Sequence, residues 1–260
     1  MNNAKKHIEN LLNRGSRLDG RTLTDYRKPI SLESGFIKTA EGSARVIIGD
    51  TDVIVGVKMA VEKPYPDTPD KGNLMVSAEL TPLSSPEFES GPPSIGAIEL
   101  SRVIDRGIRE SKMIDVEKLC IEKGEKVWSI MIDICPINDA GNLFDAGAIG
   151  AIAALKSTRF PEYDGSQIDY KKHTDQKLPL NKIPISVTVI KIGNHLIIDP
   201  LSEEEAVIDS RLTVVTREDG KICALQKGGK GSISSEVLNE MINLGIEKSK
   251  ELKKLLNKEN

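Results

Sequence analysis

Residues 139–155 read DAGNLFDAGAIGAIAAL, and no other stretch limits the fold as much. The glycines and other small residues predict a helix from about Asp145 to Lys156. Gly147, Ala148, Gly150 and Ala151 leave its surface bare enough for neighbouring elements to approach closely. A glycine-containing turn that feeds a helix start also has the layout of an anion site, where free N–H groups face a phosphate. Yet this stretch holds no Arg, Lys, Ser or Thr to grip one. It has the shape of a phosphate cradle without the cation.

The rest of the chain bounds what can surround that helix. Its 260 residues are 38% hydrophobic and 29% charged, a globular rather than a disordered composition. Aromatics are only 3%, so the core must be built from Ile, Val, Leu and Ala. A net charge of −3 means that a nucleic-acid ligand would need a local basic patch. The opening MNNAKKHIENLLNRG lacks the apolar segment of a signal peptide, and no run approaches the ~20 apolar residues of a membrane helix. Cys120, Cys135 and Cys223 are an odd number without paired spacing. They point to a reducing cytoplasm, and each reads as a small buried apolar residue rather than part of a disulfide or zinc site.

Along the chain, Lys5 to Asn13 has helical spacing. Strand-like runs follow at Ser31–Lys38, Ala44–Ile48 and Thr51–Val61, with a tight hairpin at Gly49–Asp52. KPYPDTPDKGN and SSPEFESGPPS are turn-rich loops. Ile95–Met113 is the clearest helix, with Leu100, Val103, Ile104, Gly107 and Ile108 on one face. VWSIMIDICPI is a strand whose Trp128, Ile130, Ile132 and Ile134 share a side. Residues 161–182 are polar and read as loop. IPISVTVIKIG, HLIIDP, RLTVVTRED and KICALQKGG read as strands, and Ile233–Leu256 as a final helix running into the lysine-rich KKLLNKEN. Antiparallel strands with helices packed to one side make an α+β domain, and no linker splits the 260 residues.

Few residues offer chemistry. There is no GxGxxG after a strand, no GxxxxGK[ST] and no GxSxG. His7, His173 and His195 are scattered. Arg102, Arg106 and Arg109 fall within about 60° of one another on the helix, opposite its apolar face. The plain reading is a solvated face with ion pairs Glu99–Arg102, Asp105–Arg109 and Arg106–Glu110. The sharper one is a ridge for phosphodiesters, because the arginine fork suits phosphate oxygens and a bound anion relieves the Arg102–Arg106 repulsion. In HLIIDPLSEEE, Asp199 and Glu205 lie six apart across a strand end. They could hold a divalent metal or act as acid and base, although acids at strand ends are more often turn-formers. The C-terminal lysines alternate with glutamates and complement a helix dipole, so they do not read as a nucleic-acid tail.

Four stretches, SRLDGRTLTDYR, GAIELSRVIDRGIRES, IDICPINDAGNLFDAGAIGAIAAL and LIIDPLSEEE, occur in an order that resembles the RNase PH family. The likeness covers about residues 5–245 and is greatest to the non-catalytic RNase PH-like subunit of the archaeal exosome. The resemblance implies two similar β-rich layers with helices packed between and alongside. It also implies a role in phosphorolytic RNA decay from the 3′ end. The partners implied are a catalytic RNase PH-like exosome subunit in an alternating heterohexamer, RNA-binding cap proteins and single-stranded RNA, with no cofactor, metal or membrane.

Active family members carry Gly-(Thr or Ser)-Arg just before the helix, where the attacking phosphate binds. Here Gly141, Asn142 and Leu143 take those places, a degenerate phosphate site. Active members also carry two aspartates six apart, and Asp199 with Glu205 is a degenerate version of that pair. The resemblance therefore implies no catalytic residue in this chain and an RNA-binding role for Arg102, Arg106 and, less closely matched, Arg109. Arg21 and Arg27 match family positions too, as either subunit-interface or RNA contacts. The alternatives are an active phosphorolytic nucleotidyltransferase using Asp199 and Glu205, and an α+β protein unrelated to RNA.

Overall fold

The computed structural model describes residues 2–257. In chain order the elements are α1 (Asn2–Leu12), β1 (Ile30–Ser34), β2 (Gly42–Ile48), β3 (Thr51–Glu62), β4 (Asn73–Ala78), α2 (Ile95–Ser111), β5 (Cys120–Glu122), β6 (Lys126–Asn138), α3 (Leu143–Ser157), β7 (Arg159–Tyr163), β8 (Ile168–Lys177), β9 (Pro184–Ile192), β10 (His195–Ile198), α4 (Ser202–Glu205), β11 (Ser210–Arg217), β12 (Ile222–Gly228) and α5 (Ser235–Asn257). A single 3-10 turn, Val116–Leu119, precedes β5. Residues 258–260, the end of the lysine-rich tail, lie outside the described residues.

Two sheets carry the fold. The first runs β1-β2-β3-β6-β4, with β5 pairing β6, and the second β10-β9-β11-β12. Alternation along β3 buries Val53, Val55, Val57 and Met59 completely, and Ile130, Ile132 and Ile134 of β6 join them. α3 lies on this apolar side. A Cβ on Gly150 would come within 2.8 Å of Val55, and one on Gly147 within 3.0 Å of Ile104. The expected role of these small residues is therefore borne out: α3 is buried on nearly every side because it has almost no side chain to keep neighbours away.

The second sheet is covered on both faces. Gly107 of α2 lies against Val215, and Gly245 of α5 lies against Val214. These are consecutive strand residues and so point to opposite sides. α1 adds a small separate cluster, Ile8 and Leu12 against Ile190, Ile192 and Ile197. Helices packed to one side of the strands was thus too simple. The layered arrangement that the family resemblance implies is the one observed.

Three further expectations change. β4, unassigned in the sequence because it follows a proline-rich loop, pairs parallel with β6 across the crossover that contains α2. Residues 161–182, expected as loop, hold most of the antiparallel β7–β8 hairpin. No residue of β8 is buried, so it shows no apolar alternation. The hairpin is anchored by Phe160 and Tyr163, whose rings meet Trp128 edge-on at 5.3 and 5.7 Å. The three cysteines are free but half-buried rather than buried.

Close approach has a testable consequence. A Cβ on Gly42 would sit 2.4 Å from the Ala154 carbonyl oxygen and 2.9 Å from the Thr158 Cα, whereas Gly56 on the next strand meets nothing within 4 Å. Gly42→Ala should lower unfolding free energy by about 1–3 kcal/mol in urea titrations. Gly56→Ala should leave it unchanged or raise it by roughly 0.5–1 kcal/mol.

Candidate functional site: a carboxylate caged at the α3 start

β10 ends at Ile198, and the chain turns at Asp199, which has φ +51. Three arginines from the early loop reach this turn. The Arg27 backbone N–H and Nε donate to Asp199 Oδ2 at 2.7 and 3.0 Å, and its Nη2 donates to Oδ1 at 2.8 Å. Arg21 Nη1 donates to Oδ2 at 3.0 Å and Asn142 Nδ2 to Oδ1 at 2.9 Å. Five donors thus surround a side chain with no solvent exposure. A carboxylate offers about four acceptor positions, so none is left for a metal ion or a substrate proton. Arg17, absent from the sequence reading although it lies in SRLDGRTLTDYR, pairs with the fully buried Glu204 and donates to the carbonyls of Ile198 and Asp199.

Two glycines make this convergence possible. Gly141, at φ +97, passes so near the Asp199–Leu201 turn that a Cβ would be 2.4 Å from the Pro200 carbonyl oxygen. Gly49, at φ +59 in the β2–β3 hairpin, leaves space for the Arg27 side chain, which a Cβ would meet at 2.6 Å. From there Arg27 also donates to the carbonyls of Ala140 and Gly141.

The α3 start is occupied by the chain itself. Asn142 is its N-cap at φ +60, and Leu143 is its first residue. The helix begins two residues earlier than expected. The Gly141 N–H donates to Asp139 Oδ1 and the Asn142 N–H to Glu205 Oε1, both at 2.9 Å. Burial pushes the Glu205 carboxyl up to about 7, partly offset by the Asn142 N–H. Asp145 behaves alike. Burial raises it to about 7, against bonds from the Thr188 N–H and Asn142 Nδ2. Leu143, half-buried against the core, contributes neither charge nor donor. Asp199 and Glu205, paired in the sequence reading, share only Asn142, whose Nδ2 donates to the first and whose backbone N–H donates to the second.

Arg102, Arg106 and Arg109 do share one exposed face, and all three line a cleft of about 460 Å³ with Gln226 of β12. Of the three expected ion pairs only Asp105–Arg109 forms, at 2.8 Å. Glu99 pairs instead with Arg211, whose guanidinium also lies 4.3 Å over the Phe144 ring. Arg106 Nη1 donates to Gln226 Oε1 at 2.9 Å instead of meeting Glu110. Arg211 and Gln226 were not legible in the sequence, because they come from the second sheet, more than a hundred residues along the chain. Arg21 and Arg27, left open between interface and RNA, have internal partners. No group of three or more His, Cys, Asp or Glu is placed to hold a metal ion among the described residues, and no helix among them is long and apolar enough to cross a membrane.

Comparison with known proteins accounts for this layout. Residues 27–161 match the model of 3′ exoribonuclease family domain 1, and residues 182–248 that of domain 2. The chain belongs to the 3′ exoribonuclease, or RNase PH, family. Its relatives include the exosome complex component Rrp42 of Methanocella arvoryzae, 48% identical over 97% of this chain and 95% of that protein. The component of the same name from Methanopyrus kandleri is 47% identical over 92% and 90%. Among solved structures, a chain of the Archaeoglobus fulgidus exosome with RNA bound to the active site superposes with a TM-score of 0.90, at 43% identity and 97% coverage of both chains. The family's two domains correspond to the two sheets, and the Asp199 cage lies where they meet.

Two measurements probe the cage. Arg27→Ala leaves a buried carboxylate short of two side-chain bonds and should cost about 3–5 kcal/mol of stability in urea unfolding, with part recovered by adding Asp199→Ala. Glu205 and Asp145 hold their protons in the folded state at a higher pH than in the unfolded state. Their contribution is therefore full near pH 4 and is lost as pH rises through about 7. Glu205→Gln keeps the acceptor without the charge, so its stability relative to wild type should climb from about pH 4.5 to about pH 7 and level off above that.

Proposed function

We propose that this chain is the non-catalytic RNase PH-like subunit of an archaeal exosome. It scaffolds a ring in alternation with a catalytic RNase PH-like subunit and holds single-stranded RNA for that partner's active site. The observation that carries the reading is the state of the α3 start. The position where active family members place a phosphate-gripping arginine is Leu143. The two N–H groups before it are taken by Asp139 and Glu205, and the Asp199 carboxylate has no free acceptor position. Loss of one donor to a developing anion lowers rate by about two to three decades. Here the cation, the two N–H groups that precede the helix and a free acceptor on Asp199 are all missing from the surface that phosphorolysis needs.

Arg102 and Arg106, with Arg109 as a weaker third, contact RNA phosphates without reading bases. The chain works as one unit across residues 1–260, supported by a single core cluster that draws on both sheets. It needs no cofactor or metal of its own, binds beside RNA-binding cap proteins, and acts in the cytoplasm.

One observation favours the second reading, an active phosphorolytic nucleotidyltransferase. Glu205, with its proton held up to about 7, would suit a general acid. A single set of assays separates the two. Under the first reading the purified chain gives no phosphate-dependent release of nucleoside diphosphates from RNA, and co-expression with its catalytic partner restores it by at least about a hundredfold. Arg102→Ala with Arg106→Ala in that complex makes the log–log salt dependence of RNA binding shallower by about 1.4. Phosphorolysis by the chain alone, abolished by Glu205→Gln, would establish the second.

A further inference from the structure

The three ridge arginines are alike in sequence but not in what holds them. Arg109 is paired with the Asp105 carboxylate through both oxygens and also donates to the Leu74 carbonyl. Arg102 has no hydrogen-bond or ion-pair partner among the described residues. Arg106 is held by a neutral group, the Gln226 amide oxygen at 2.9 Å. That amide is itself fixed, because its Nε2 donates to the Lys227 carbonyl at 3.3 Å, so its oxygen faces the guanidinium. Gln226 stands opposite Thr213 in the β11–β12 ladder. Val215, two residues on, shares that face and lies against Gly107 of α2, so this face of the sheet packs on the arginine helix.

The chemistry of the three partners differs in one respect. A carboxylate neutralises an arginine, and phosphate must displace it or share the charge. No partner leaves a long side chain free, and binding must then freeze it. A neutral amide orients the fork and leaves its full positive charge for an anion.

We infer that Gln226 is a positioning residue for RNA. It presents Arg106 as the dominant phosphate contact of the ridge and couples the second sheet to the RNA-binding helix of the first. This rests on the RNA-contact reading above. The lone feature distinguishing Arg106 is an oriented but uncompensated charge, and that comes from a residue more than a hundred positions away in sequence.

The test uses the chain co-expressed with its catalytic partner and a fluorescein-labelled oligoadenylate, with affinity read by anisotropy over a salt series. Gln226→Met keeps the side-chain volume and removes the amide. It should weaken binding about three- to tenfold while leaving the salt slope and melting temperature at wild-type values. In an Arg106→Ala background the same substitution should have no further effect. Gln226→Glu supplies a competing charge, and should reduce the salt slope toward that of Arg106→Ala, by about 0.7.

Two results overturn the inference while leaving the RNA reading intact. One is wild-type affinity for Gln226→Met when Arg106→Ala is weakened. The other is an equal loss on Gln226→Met with or without Arg106, which would make Gln226 an independent contact. Wild-type affinity and salt slope for Arg106→Ala would instead remove the RNA role of Arg106 itself.

Discussion

A buried carboxylate with five donors is the constraint around which this molecule is assembled. Asp199 lies with no solvent exposure at the point where the two sheets meet, and an unpaired charge there would be prohibitive. Its compensation determines much else. Arg27 must cross beneath the β2–β3 hairpin, so Gly49 has no side chain. The turn after β10 must press against the chain entering α3, so Gly141 has none either. The early loop must return to the second sheet, and Arg17, Arg21 and Arg27 bring it back. A stretch without regular secondary structure, residues 14–29, is thereby tied to the second sheet at three points.

Two further carboxylates lie at the α3 start. Helix N-termini attract anions through unpaired N–H groups. In this chain Asp139 and Glu205 take the two N–H groups that precede the helix, and Leu143 follows them. An anion bound to those two N–H groups would have to displace a carboxylate. The cradle keeps its shape because Gly147 and Gly150 pack the interior, which is a demand of the core and not of any ligand.

Much of this was legible in the sequence, and the failures have physical causes. Periodicity located α2, α3, α5 and the long strands β3 and β6, because each buries one face or is buried throughout. It missed β8, none of whose residues is buried, and β4, whose short apolar run follows prolines. Leu143, the residue on which the proposed loss of a phosphate site rests, was visible too, since one aliphatic residue at a helix start is a local signal. The cage was only half visible. Asp199 stood out, but Arg17 and Glu204 did not, because a buried ion pair spanning 187 positions leaves no mark on local spacing. The helix arginines were found together, yet two of their three expected partners were wrong. Local i, i+3 and i, i+4 geometry proposed Glu99 and Glu110, and the second sheet supplied Arg211 for Glu99 and Gln226 for Arg106.

The most direct measurement is crystallographic. Crystals of the chain assembled with the catalytic RNase PH-like subunit proposed as its partner, soaked in inorganic phosphate, place both kinds of subunit in one experiment. The account predicts an ion at the partner's helix start and none beside Leu143, with the Glu205 carboxylate still on the Asn142 N–H. An ion seated next to Leu143, with Glu205 displaced, would contradict it.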